Sequence, residues 1–224
     1  MCILRVYSLS QTTDSQSVRH ACLLTLNYAT HNKPSLVRDY LKDVLPDVYA
    51  ECKPHAELVR IIIIGPFKHK VDDGIETRKA AFECLYTLLE TCQDCLDVSE
   101  LIANALSDGL KDEHDVKLLS HLILSRLASC APVVLLQSLP SLLPSLKLTV
   151  EKKLKENAVK QDKDRNDEVI FSGLRAIVSL SKMPGIENCS EFSDFMKNTV
   201  LSEDVAPKYH SVLDAEKGSE DIAQ

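Results

Sequence analysis

The sequence predicts an all-α protein made of repeated helix pairs, interrupted by one short β-hairpin. Three observations predict it. Leucine is abundant, glycine is scarce (6 of 224 residues), tryptophan is absent and aromatics are 5% of residues, which disfavours sandwiches and barrels. Apolar residues recur at helical spacing through most of the chain. One stretch, Arg60 to Glu76, breaks that rhythm with four successive isoleucines and a Gly-Pro pair.

From Ser17, Val18, Ala21, Cys22, Thr25, Leu26 and Ala29 mark a helix that Asn32-Lys33-Pro34 stops. Pro34 suits the first turn of a second helix, Ser35 to Cys52, with Leu36, Tyr40, Leu41, Val44, Leu45 and Val48 along one side. Ile61 to Ile64 are β-branched and favour an extended chain. Pro66 suits the second position of a turn Gly65-Pro66-Phe67-Lys68, with Gly65 extended before it and His69 to Val71 folding back. The competing reading is an apolar helix end followed by a loop.

After Asp72-Asp73-Gly74 the helical stripe returns as Ala80, Ala81, Cys84, Leu85, Leu88, Leu89 and Cys92. Further helices are expected over Val98 to Leu106, Asp115 to Cys130, from Pro132 with a kink or break at Pro140 and Pro144, over Val169 to Leu180, and over Glu191 to Val200. The charged stretch Glu151 to Glu168 reads as a solvated loop. The expected organisation is therefore a leftover of an incomplete repeat over 1–16, a helical-repeat body over 17–200 with the insertion near 60–73, and a polar, frayed tail over 201–224.

A period underlies the helix pairs. Val18, Thr77 and Val116 each open a first helix just ahead of an apolar stripe, and the same phase recurs at Val169. Val116 follows Thr77 by 39 residues, a spacing that suits repeats of the HEAT and armadillo type, about 40 to 47 residues long. The fold class is then an all-α HEAT/armadillo-type solenoid with a small projecting hairpin. The two longer spacings, 59 residues before Thr77 and 53 after Val116, carry excesses that fall on the isoleucine stretch and on the charged stretch. An inserted loop in such a repeat array emerges on one face, often the binding face, which favours the hairpin over the loop.

Charge and composition narrow the function. A net charge of −7 opposes roles that depend on nucleic-acid phosphate or anionic membrane. The start, Met1-Cys-Ile-Leu-Arg-Val-Tyr, is unlike a targeting signal, and no run approaches the roughly 18 apolar residues of a membrane helix, so the expectation is a soluble intracellular protein. Eight cysteines spread over a long chain read as reduced thiols. Cys92-Gln-Asp-Cys95 lacks a second ligand pair, and His114 and His121 lack a third ligand and read as surface and groove histidines. Asp72-Asp73-Gly74 lacks the spaced acids of a calcium loop and reads as a turn and helix start. No nucleophile elbow or phosphate-cradling glycine loop appears, so neither catalysis nor a cofactor or metal is expected.

Thr30-His-Asn-Lys-Pro-Ser-Leu36, Gly65-Pro-Phe-Lys-His69, Val71-Asp-Asp-Gly74, Arg78-Lys-Ala-Ala-Phe-Glu-Cys84 and Asn157-Ala-Val-Lys-Gln161 resemble, in order, the C-terminal end of the cullin-associated, neddylation-dissociated proteins, also called TBP-interacting proteins. The resemblance covers about Val18 to Leu180 and implies a HEAT-repeat scaffold, cytoplasmic and nuclear, that binds an unneddylated cullin. It implies that the hairpin occupies the place of the substrate-receptor adaptor on the cullin N-terminal region, so that receptor modules of SCF-type ubiquitin ligases are exchanged. The hairpin role falls on Gly65, Pro66, Phe67, Lys68, His69, Val71, Asp72 and Asp73, with Ile62 and Ile64 as an exposed apolar face beside Phe67. The alternatives are a TBP-binding, transcription-linked scaffold and a fragment with little activity of its own. Two features depart from the family: four isoleucines stand where charged and apolar residues alternate, and the chain resembles only the last repeats of a longer solenoid. Excising Ile61 to Asp72 is expected to spare the helices.

Overall fold

The computed structural model describes residues 15–65 and 67–222. It is 77% helical with one two-stranded antiparallel sheet, a HEAT-like fold carrying a β-hairpin. Two compact units divide at Asp97 and Val98.

In the first unit, α1 (Gln16–Asn32) packs along α3 (Ile75–Thr91), and α2 (Leu41–Glu51) packs against α3 as well. The stripe read from sequence is the core of α3: Ala80, Ala81, Cys84, Leu85, Leu88 and Leu89 are all buried, as is Phe82. Facing them, Cys22, Leu23 and Leu26 of α1 and Leu41, Val44, Leu45 and Val48 of α2 are buried too. Burying each of the leucines, valines and Phe82 is worth about 1.5 to 3 kcal/mol, so the stripe, rather than helix propensity, holds the unit together. The second helix is shorter at its start than the sequence suggests. Pro34–Leu36 and Arg38–Tyr40 form two tight 3₁₀ turns before α2 begins.

In the second unit α4 comprises Val98–Leu101, a π-helical Ile102–Leu106 and Ser107–Gly109. It is followed by α5 (His114–Cys130), α6 (Pro132–Val150), α7 (Lys160–Ser181), α8 (Ser190–Phe195, continuing as a π-helical Met196–Val200) and α9 (Ala206–Ile222). α7 packs against α5, α6 and α9, with Leu174, Ala176, Ile177, Val178 and Leu180 buried.

Four expectations change here. The charged stretch is a loop only over 151–159, since Lys160 to Glu168 already belong to α7; charged residues on an exposed helical turn cost nothing in burial. Pro140 and Pro144 do not break α6, which is continuous over 19 residues. Both prolines are exposed and one turn apart, so the carbonyls that lose an N–H partner face water. The helix α6 is also long and apolar enough, by length and composition, to cross a membrane, contrary to the sequence reading. Leu135, Leu139, Leu142, Leu143, Leu146 and Val150 are nonetheless buried against neighbouring helices. Finally, residues 206–222 are a helix and not a frayed tail. Val205, Tyr209 and Val212 are buried, and Lys208 Nζ lies 2.7 Å from Asp167 Oδ1 of α7. Most of the expected leftover at 1–16 lies outside the described residues.

A candidate interaction hairpin

Strands β1 (Val59–Ile64) and β2 (Phe67–Asp72) pair antiparallel with each other, in the register Val59 to Asp72, Ile61 to Lys70, Ile62 to His69 and Ile64 to Phe67. The hairpin reading therefore holds, with the turn one residue earlier than expected. Ile64 and Phe67 are already partners, so the turn falls between them and Gly65 takes its first central position. Gly65 takes φ 59° and is not extended. A positive φ at the first central position belongs to the primed turns, whose twist matches the flanking strands, and glycine adopts it without steric cost.

Cross-strand partners share a face of a sheet. One face presents Ile61 and Ile63 with Lys68 and Lys70; the other presents Ile62, His69 and Val71. Ile61 and Ile63 are 67% and 69% exposed, whereas Ile62 and Val71 are half-buried. The open apolar face is thus the opposite of the one expected from sequence. Period 2 was right and its phase was not, because nothing in a run of four identical residues says which pair faces the helices. Lys68 and His69 are exposed. Pro66 and the side chains of Ile64 and Phe67 lie outside what the structure describes.

The base of the hairpin is fixed to the helical body. Arg78, one turn into α3 and only 2% exposed, places Nη2 2.8 Å from Asp72 Oδ2. Asp72 Oδ1 accepts the Gly74 backbone N–H at 2.9 Å, so this one carboxylate closes the strand and opens the helix. Gly74 fits closely there, since a Cβ would meet Leu58 Cδ1 at 3.0 Å and Asp72 Oδ1 at 3.3 Å. Next to it Asp73 N–H donates to the Leu58 carbonyl at 3.0 Å, and Arg60 grips the Asp73 carboxylate through Nε at 2.6 Å and Nη2 at 3.0 Å. Asp72 and Asp73, expected among the partner-binding residues, therefore have structural work at the root, while Lys68, His69 and the isoleucines form the blade. Sequence reasoning missed Arg78; a basic residue on an otherwise apolar stripe was the available signal.

Cys92 is buried and Cys95 half-buried; the described cysteines are free thiols. Burial, then the Asp94 carboxylate, raises the Cys95 thiol above its ordinary pKa, and burial pushes Cys84 up to about 12. Neither is a ready thiolate. His121 is not a surface or groove histidine. It is 2% exposed, with Nδ1 3.1 Å from Ser172 Oγ, and burial followed by the charge of Lys117 lowers its pKa to about 3. Among the described residues no three His, Cys, Asp or Glu side chains are placed to hold a metal.

Helix pairs presenting an anchored, exposed hairpin place the chain in the class of HEAT-like helical folds with a β-hairpin. The chain belongs to the TIP120 family, described as TATA-binding protein interacting (TIP20), whose model matches residues 36–200. It is 47% identical over 197 residues to the Dictyostelium discoideum cullin-associated NEDD8-dissociated protein 1, covering 88% of this chain and 16% of that protein. It is 42% identical to the Rattus norvegicus cullin-associated NEDD8-dissociated protein 2, over 88% of this chain and 15% of that one. The Emericella nidulans cullin-associated NEDD8-dissociated protein 1, C-terminal part, is 35% identical over 85% of this chain and 18% of its own length. The chain thus spans about a sixth of the length of these relatives.

Proposed function

We propose that this chain is a non-catalytic scaffold that binds an unneddylated cullin through the hairpin, in competition with the substrate-receptor adaptor at the cullin N-terminal region, and so takes part in receptor exchange on SCF-type ubiquitin ligases. The observation that carries this is the pair of exposed isoleucines, Ile61 and Ile63, on a blade whose root is held by the buried Arg78–Asp72 pair. Contiguous exposed apolar groups of this kind mark interaction sites, and the names of the relatives supply the partner. Lys68, His69, Gly65, Pro66 and Phe67 complete the proposed surface beside Ile61 and Ile63. No cofactor, nucleic acid or membrane is involved in this reading, and its setting is the cytoplasm and the nucleus.

The test is binding of this chain to bare and to neddylated cullin in parallel. Preference for the bare form supports the proposal; equal binding contradicts it. Phe67→Ala should cost on the order of 1 to 3 kcal/mol of binding if its ring is an anchor. Truncating Lys68 should alter association rate and salt dependence more than affinity. The family description favours a second reading, a TBP-binding scaffold. Capture from cell extract probed for cullins and for TBP separates the two.

A further inference from the structure

A pocket of about 350 Å³ lies in the second unit where the first turns of α5 and α7 meet the loop after α6. It is lined by Lys117, Lys152 and Arg165, by the carboxylates of Asp112, Glu113 and Asp162, and by Leu154 and Val169 among others. Lys117 is half-buried, whereas Lys152 and Arg165 are exposed. Neither lysine ammonium has a carboxylate within ion-pair distance among the described residues. Lys117 is also the fourth residue of α5, at the end of a helix where the backbone dipole is positive and a cation is disfavoured. Partial burial, a second ammonium in the same pocket and a helix N-terminus act on this amine in one direction, and the Glu113 and Asp112 carboxylates oppose them more weakly.

We infer that Lys117 is a modification site, a nucleophilic lysine acylated preferentially by small anionic acyl donors of the acyl phosphate class, with Lys152 and Arg165 receiving the donor's phosphate. In the reaction the neutral Lys117 amine attacks the carbonyl carbon of the acyl phosphate. The C–N bond forms, the carbon–oxygen bond to phosphate breaks, and inorganic phosphate departs with the electron pair and takes up the proton lost from Nζ. Nothing is oxidised or reduced. The pocket is large enough for a small acyl donor, and the half-buried position of Lys117 leaves it open to one. Burial first and the charge of Lys152 second lower the pKa of Lys117 below the ordinary lysine value, so a larger share of it is neutral at physiological pH than of an exposed lysine.

The experiment treats the whole chain with acetyl phosphate and follows acetylation of each lysine by peptide mass spectrometry, at about pH 7.5 and about pH 10. Lys33 and Lys42 are exposed and serve as references. Lys117 is expected to react several-fold faster than both near neutrality, and the gap should narrow at the higher pH, where all the amines lose protons. Lys152→Gln should narrow the gap near neutrality, and Lys152→Arg should preserve it. Lys117 reacting no faster than the references, or an advantage that persists unchanged at high pH or in Lys152→Gln, overturns the inference.

Discussion

At the scale of single residues, the Arg78–Asp72 pair separates what holds the hairpin from what the hairpin offers. Arg78 is 2% exposed, and taking a guanidinium out of water is tolerable only while its carboxylate stays beside it. Asp72→Ala is therefore expected to lower stability by about 3 to 5 kcal/mol, read from urea denaturation. The double variant Asp72→Asn, Arg78→Met should lose less than Asp72→Ala alone, because no buried charge is then left without a partner. If the double variant loses more, the pair is not the anchor described.

His121 makes a second residue-scale prediction. It sits where α5, α6 and α7 converge, and a Cβ on Gly173 would approach its Cε1 and the Thr149 methyl at 3.4 Å. Its folded-state pKa of about 3 is below the value of about 6.5 in an unfolded chain. Between those limits the unfolded chain binds the proton that the folded one refuses. Stability from this group is thus full above pH about 6.5 and is lost as pH falls toward 3, with a slope of up to about 1.4 kcal/mol per pH unit. His121→Gln should flatten the pH dependence of unfolding in that window; an unchanged slope would mean that His121 is charged in the folded chain.

At the scale of elements, the hairpin and helices came from different signals, and their legibility differs accordingly. The buried stripe of α3 was readable because helical spacing and burial coincide at Ala81, Leu85 and Leu88. The insertion was readable because its residues exceed the repeat period. Which face of the strands opens to solvent was not, since Ile61 to Ile64 are identical and carry no signal that separates the Ile61 and Ile63 face from the Ile62 face. The α9 helix was missed although Val205, Tyr209 and Val212 stand at helical spacing, because its charged surroundings outweighed them; those three buried side chains dock the helix, and the exposed Lys208 to Asp167 and Lys182 to Glu216 ion pairs add little. The root of the hairpin also corrects where it can be removed. A short Gly/Ser linker replacing Ile61 to Lys70 should leave the melting temperature nearly unchanged. The excision expected to be harmless from sequence, Ile61 to Asp72, should lower it markedly, because it removes the partner of Arg78. Equal melting of the two variants would contradict the division between root and blade.

At the scale of the whole molecule, the two units each bury a continuous core between paired helices, as helical repeats do, and the exposed isoleucines of the blade contribute little to either. A chain built this way can keep its fold while changing its partner, which is why the hairpin, and not a cleft or a reactive side chain, bears the proposed function. The measurement that tests this most directly is displacement of the adaptor from the N-terminal region of an unneddylated cullin by the parent chain and by the variant lacking Ile61 to Lys70, with both first shown by circular dichroism to be equally helical. The account predicts that the parent displaces the adaptor and the variant does not. A variant that folds and displaces the adaptor as well as the parent would contradict it.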